Sequence, residues 1–215
     1  MENLRRITVL TDTPSSWIVS YAVELIRQLN IPAYRVRHVH YHDDIPKGEI
    51  LVALSCEHVI PPHILERNES NITVHPSALP KGRGWSPLAW QVLEGAERIP
   101  ITLFEMRPDV DTGEVYIRDE IMLDGRELNE DIKRKQGEAT VRMVLRYIEN
   151  YPMPGEKQQG TPTWYPRRTA ADSEIDIDKT IREQFDLLRV VDNERYPAFF
   201  ELNGGIYTLR IEREC

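Results

Sequence analysis

Two short stretches carry side chains whose types and spacing could do chemistry. In Asn71-Ile72-Thr73-Val74-His75-Pro76-Ser77-Ala78-Leu79-Pro80, an extended chain sends alternate side chains to opposite sides, so Asn71, Thr73 and His75 share one face. An amide, a hydroxyl and an imidazole on one face, at the point where a strand gives way to a loop, could donate to a developing oxyanion and exchange a proton. The second stretch is Pro108-Asp109-Val110-Asp111-Thr112-Gly113, which leaves one β-rich run and enters the next. Asp111 sits on its tight turn, and Gly113 permits backbone angles closed to other residues. An imidazole and a carboxylate brought together could serve as a general acid and a general base. Taken singly, a strand-end histidine is more often structural, and Asp-x-Gly more often only a turn.

Other candidates are weaker. His38, His40 and His42 alternate and could share a strand face, but no well-spaced fourth ligand accompanies them, so no metal is expected. Gly82, Gly84, Gly113, Gly204 and Gly205 do not form the spaced loop that cradles a nucleoside triphosphate or a dinucleotide. Tyr165, Arg167, Arg168, Arg189, Arg195 and Tyr196 offer guanidiniums for a diphosphate and rings for a base or sugar. Ordinary surface pairing with neighbouring acids is the alternative use for them.

These residues need elements to position them. Ile-Thr-Val-Leu-Thr from residue 7, a helical pattern over 15–29 with Ser15 or Ser16 as its N-cap, and the β run over 50–55 set up an alternation of β and α. That alternation predicts an open, mostly parallel α/β sheet, a type that keeps its ligands beyond the carboxyl ends of its strands. A long helix is predicted over 127–150, with Leu128, Ile132, Ala139, Met143 and Tyr147 on one stripe, and Tyr151-Pro152-Met153-Pro154-Gly155 ends it. We therefore expect a catalytic unit over 1–155 and an extension over 156–215. In the extension, Ile177, Ile181, Phe185 and Leu188 suggest a helix, and Asn203-Gly204-Gly205 between two apolar runs suggests a β-hairpin.

Composition narrows the class. The 215 residues carry 27 Lys+Arg against 35 Asp+Glu, a net charge of −8, with 40% hydrophobic residues, which is a globular balance that disfavours nucleic acid as a partner. The longest apolar run, residues 50–56, is far too short to cross a membrane. The amino-terminal residues lack a signal-peptide pattern, so a cytoplasmic location is expected. Cys56 and Cys215 are too few for a disulfide framework, and both are expected reduced.

The ordered set His75-Pro76-Ser77, Leu79-Pro80, Arg83-Gly84, Pro87, Trp90, Gly95 and Asp111-Thr112-Gly113 resembles the formyltransferases that use 10-formyltetrahydrofolate. The stretch over 164–200, with its Tyr-Pro-Arg-Arg and Arg-x-x-Asp-x-x-x-Tyr-Pro-Ala-Phe patterns, looks like the region after the catalytic unit in sugar N-formyltransferases. The resemblance implies a Rossmann-like formyltransferase sheet with a small C-terminal helix and β-hairpin extension. It also implies transfer of a formyl group from 10-formyltetrahydrofolate to a nucleotide-linked amino sugar, with a homodimer left open.

For the site, the resemblance implies His75 and Asp111 as catalytic. The family's asparagine lies two residues before its histidine, where this chain has Thr73; Asn71, four before, is favoured for that role, with Thr73 as the other candidate. His75 would donate to the oxyanion while Asp111 takes the proton, or Asp111 would orient and charge His75. Ser55, Cys56, Glu57, Arg107, Asp109 and Val110 are expected on the folate side. Thr73, Arg83, Trp85, Tyr165, Arg167, Arg168, Arg189 and Tyr196 are expected on the acceptor side. Formylation of an aminoacyl group on a carrier or tRNA, or binding without turnover, are the competing expectations.

Overall fold

The computed structural model describes residues 4–214, so Cys215 lies outside the described residues. Strand β1 (Arg5–Leu10), helix α1 (Val19–Gln28), β2 (Tyr34–Val39) and β3 (Gly48–Ala53) open the fold, and β1 runs parallel to both β2 and β3. A short α2 (Pro62–Leu65) leads to β4 (Asn68–His75), which is parallel to β3. There follow β5 (Arg83–Gly84), α3 (Pro87–Leu93), β6 (Arg98–Glu105), β7 (Val115–Met122) and α4 (Asn129–Glu149). The main sheet has the order β2-β1-β3-β4-β6-β7, and its last two strands run antiparallel to their neighbours. It is thus mostly parallel, as expected.

The central strands are apolar on both faces, as strands covered on both sides must be. Ile7, Val9, Ile50, Val52 and Ile72 join Ala22 and Leu25 of α1 and Ile132, Ala139, Met143 and Tyr147 of α4 in one core. Leu10, Leu51 and Ala53 pack on the other face with Ile60, Ile64 and Leu65. The helix α1 begins at Val19 rather than after Ser15, and neither serine caps it. Residues 13–16 are used by a turn in which the Ser16 N–H donates to the Thr13 carbonyl, and Ile18 is the N-cap with no side-chain bond.

The chain beyond α4 is stitched back to the sheet. Val115 and Glu156 exchange backbone hydrogen bonds, and β8 (Trp164–Tyr165) pairs parallel with β5. The expected helix through Ile177 and Ile181 is confined to α5 (Phe185–Val190), and both isoleucines are exposed. Local side-chain bonds delay it: the Asp178 N–H donates to Asp176 in a turn, and Thr180 and Glu183 exchange the reciprocal bonds of a capping box, so the helical turn can open only from Thr180 onward. The hairpin forms as β9 (Ala198–Leu202) and β10 (Gly205–Leu209). Asn203 and Gly204 take φ of +51° and +78°, as a two-residue hairpin turn demands.

Topology explains why the two chemical stretches meet. Antiparallel β6 ends with Glu105 level with Ile72, three residues before the end of β4. The loop after it must therefore fold back along β4 to bring Asp111 to His75. Gly113 permits this, because a Cβ there would sit 1.7 Å from the Glu105 carbonyl oxygen.

Candidate active site

His75 closes β4, and its Nε2 lies 2.8 Å from the Gly82 carbonyl oxygen. A carbonyl only accepts, so Nε2 carries the proton in this arrangement. The same nitrogen is 3.9 Å from Asp111 Oδ2, and both side chains are 12% exposed, which shields the pair while leaving it reachable. Asp111 is fixed from several sides. Its φ is +56°; its Oδ2 accepts the Gly84 N–H at 2.9 Å; and the Gln158 amide donates to the carbonyls of Asp111 and Gly113, both at 2.9 Å. Gln158 in turn accepts from Arg83 Nη2 at 2.6 Å. Nothing in the spacing of Gln158 marks it, since its relation to Asp111 arises only when the extension folds back.

Asn71 is already engaged elsewhere. It is buried, and its Nδ2 donates to the Leu65 carbonyl at 3.1 Å, with Glu105 Oε1 at 3.5 Å. Its amide hydrogens are committed to the packing of α2 and the end of β6, so sharing a strand face with His75 does not make it a donor to the reacting oxygen. Thr73 also gives its hydroxyl hydrogen away, to the Ala53 carbonyl at 2.8 Å. Glu105, not singled out from the sequence, is the hub here. Its carboxylate accepts from the Asn71 N–H, the Ser70 hydroxyl and the Tyr116 hydroxyl at 2.8, 2.9 and 3.0 Å. This tethers β4 to the root of the Asp111 loop.

Among the residues expected on the folate side, Glu57 lies on a loop held by Asp12, whose Oδ2 accepts the N–H groups of Glu57 and His58 at 2.7 and 2.8 Å. Ser55 precedes it with φ +49°. Arg107, Asp109 and Val110 are exposed on the Asp111 loop. Cys56 points toward the carbonyls of Leu10 and Leu54. Burial, with the Asp12 charge, pushes its thiol up to about 12. Reactivity follows the thiolate, so Cys56 is expected to resist iodoacetamide in the native protein at pH 8 and to react once unfolded. Peptide mapping by mass spectrometry checks this, and rapid native alkylation would contradict it.

The acceptor-side residues separate into two groups. Arg168 and Arg189 are engaged within the fold. Arg168 donates to the carbonyls of Val190 and Asp172, and burial lowers its pKa. Arg189 is 4% exposed and binds Glu127 and Asp186, joining α5 to the start of α4. Both are structural clamps. Breaking a buried ion pair costs about 3 to 5 kcal/mol, so Arg189→Ala should lower the urea midpoint clearly while leaving the acceptor KM of the folded fraction unchanged. A raised KM at unchanged stability would restore Arg189 to the acceptor side.

The others remain accessible. The Arg167 guanidinium lies 4.8 Å over the Trp85 ring and 2.9 Å from Glu57. Arg195 stacks on Tyr196 at 5.8 Å. Tyr165 donates its hydroxyl to Glu94 at 2.8 Å and stacks on Trp90; burial and Glu94 push its phenol up to about 12. Arg83 is 5.8 Å from the Trp164 ring.

His38 and His40 both bond the Thr11 hydroxyl, and among the described residues no three His, Cys, Asp or Glu side chains group as metal ligands would. A separate open cavity of about 530 Å³ between α1 and α4, lined by Tyr21, Glu24, Val141 and Arg142 among others, contains none of the candidate residues. Among the described residues, no helix is long and apolar enough to cross a membrane.

Comparison with known proteins bears on this arrangement. A family profile described as formyl transferase matches residues 37–148, just over half of the chain. A methionyl-tRNA formyltransferase of Clostridioides difficile is 31% identical over 179 residues, covering 79% of this chain and 58% of that protein. This chain spans about half the length of the curated relatives it matches. Among solved structures, a methionyl-tRNA formyltransferase from Clostridium thermocellum superposes with a TM-score of 0.79 at 22% identity, covering 96% of this chain and 97% of the other. A 4-N formyltransferase from Francisella tularensis gives 0.76 at 21%, covering 98% of each. At these identities the structures speak to the fold, which they share with this chain.

Proposed function

The chain belongs to the formyl transferase family, and from that we propose that it moves a formyl group from 10-formyltetrahydrofolate to the amino group of a nucleotide-linked amino sugar. The observation that carries the chemistry is the half-shielded His75–Asp111 pair, held at 3.9 Å by a strand end and a folded-back loop. The unit over 1–155 would perform the transfer, and residues 156–215 would complete the acceptor side.

The donor fits the residues present. Val110, 43% exposed, offers an apolar contact on the loop that carries Asp111, flanked by exposed Arg107 and Asp109. Ser55 and Glu57 lie on the held loop beyond β3. When bound, 10-formyltetrahydrofolate supplies a formyl carbon open to attack by an amine. Transfer would join the amine nitrogen to that carbon and break its bond to the folate nitrogen, with the proton lost by the amine ending on that departing nitrogen. His75 bears its proton at Nε2, so turning that N–H from the Gly82 carbonyl places a donor on the formyl oxygen as charge builds there. Asp111, aligned by the Gly84 N–H and Gln158, takes the amine proton and can return it to the departing folate nitrogen.

The sugar-nucleotide acceptor is supported by Arg167 over Trp85, because Trp85 directly follows Gly84, whose N–H holds Asp111. A phosphate contact made equally in ground and transition states sets KM rather than kcat. Arg167→Ala is therefore expected to raise the acceptor KM by about tenfold with kcat and the folate KM near wild type. Steady-state kinetics varying each substrate separately reads this. An effect confined to the folate KM would move Arg167 to the donor side.

The names of the curated relatives favour a second reading, with an aminoacyl-tRNA as acceptor. Its net charge of −8 weighs against it, since RNA binding draws on extended positive surface. Formylation of methionyl-tRNA, with sugar nucleotides inert, would establish it.

A further inference from the structure

We propose that Glu57 occupies a phosphate subsite and that an acceptor's phosphate displaces it from Arg167 and Arg195. The inference rests on the acceptor class proposed above and names the regulation of that site.

Glu57 is the meeting point of two cations from the extension: Arg167 Nη2 lies 2.9 Å from one carboxylate oxygen and Arg195 Nη2 lies 3.8 Å from the other. Each guanidinium also has an aromatic partner, Trp85 at 4.8 Å and Tyr196 at 5.8 Å. One guanidinium hydrogen-bonded to the carboxylate and a second 3.8 Å from it, each over a ring, leave donors of both arginines free to close on the several oxygens of a phosphate.

The carboxylate is the part able to leave. The side chains of Arg167, Arg195 and Glu57 are 56%, 60% and 34% exposed, and exposed ion pairs are individually weak. The Glu57 backbone is fixed, because its N–H and that of His58 both donate to the nearly buried Asp12 carboxylate. Its side chain can therefore rotate out without unravelling the loop. A diphosphate brings more charge and more acceptor oxygens than one carboxylate, so it wins the two cations. Once they are engaged, the loop on the donor side and the segment on the acceptor side cease to be tied by Glu57. In the free protein the same contact closes the subsite against weak anions.

The test is calorimetric titration of the full chain with inorganic pyrophosphate and with UDP, without folate or amine, for the wild type, Glu57→Gln, Arg167→Ala and Arg195→Ala. Thermal melts verify that each variant is folded. Glu57→Gln keeps the shape and removes the competing charge, so it is expected to bind pyrophosphate about threefold to fivefold tighter, while each arginine variant binds about tenfold weaker. Unchanged or weaker binding by folded Glu57→Gln, with the arginine variants still impaired, overturns the displacement and leaves the acceptor assignment standing. Absence of pyrophosphate and UDP binding in all four proteins overturns the subsite and removes the phosphate argument for the acceptor class; formyl transfer itself is read by a separate assay.

Discussion

His75→Ala and Asp111→Ala are each expected to lower the rate of formyl transfer by a factor of about a hundred to a thousand, the effect of losing one pre-aligned group at a developing oxyanion. Thermal stability should change little, because both side chains lie at loop edges and neither belongs to the apolar clusters. The pair should also be non-additive, since Asp111 Oδ2 faces His75 Nε2 and groups that act as a unit do not sum. Asn71→Ala should show the opposite profile. Its amide holds Leu65 and sits against Glu105, so its loss should reduce stability more than the kcat of the folded fraction. Single-turnover rates beside urea midpoints separate the cases. A folded His75→Ala with wild-type turnover would remove the proposed pair.

Gly113→Ala is expected to be the most damaging single methyl added to the loops of the main sheet. The added carbon would stand 1.7 Å from the Glu105 carbonyl oxygen and 2.7 Å from its carbon, and both are backbone, so no rotamer change relieves the clash. The loop would have to leave the β6 terminus, breaking the hydrogen bond from the Glu105 N–H to the Glu114 carbonyl and the grip of Gln158 on the Asp111 and Gly113 carbonyls. Overpacking of this kind costs about 3 kcal/mol or more. Gly95→Ala is the comparison: its φ is +82° but nothing lies within 4 Å of the added carbon, so only the left-handed strain of about 1 to 2 kcal/mol remains. Equal midpoints for the two variants would show that the loop is not held against β6.

How much of this was legible in the sequence depends on the range of the interaction. Alternation along β4 and the break after His75 are local, which is why that stretch and the mostly parallel sheet could be read from spacing; Gly113, expected to supply unusual backbone angles, is needed instead for its close approach to the Glu105 carbonyl, and the positive φ falls on Asp111. The hairpin turn at Asn203-Gly204 is likewise a two-residue matter of backbone angle. Asn71 shows the limit. Periodicity places it on the face of His75 but cannot say that the carbonyl at the end of α2 reaches it first. Arg167 and Arg168 are neighbours of the same type, and only the fold separates an exposed cation stacked on Trp85 from one clamped to the carbonyls of Val190 and Asp172. Gln158 acts across 47 residues on Asp111. The expected helix through Ile177 is cut short because Asp176 bonds the Asp178 N–H in a turn and the Thr180–Glu183 capping box sets a later start.

The most direct measurement is to incubate the purified chain with 10-formyltetrahydrofolate and a panel of UDP-, GDP-, dTDP- and CMP-linked amino sugars, beside charged methionyl-tRNA, and to follow each acceptor by mass spectrometry. The expected result is the gain of one CO on the amino group of one sugar nucleotide, matched mole for mole by tetrahydrofolate and slowed by a factor of about a hundred or more in Asp111→Ala. Formyl gain on the aminoacyl-tRNA alone would contradict the acceptor, and no gain on any amine, with folate still bound, would contradict the transfer itself.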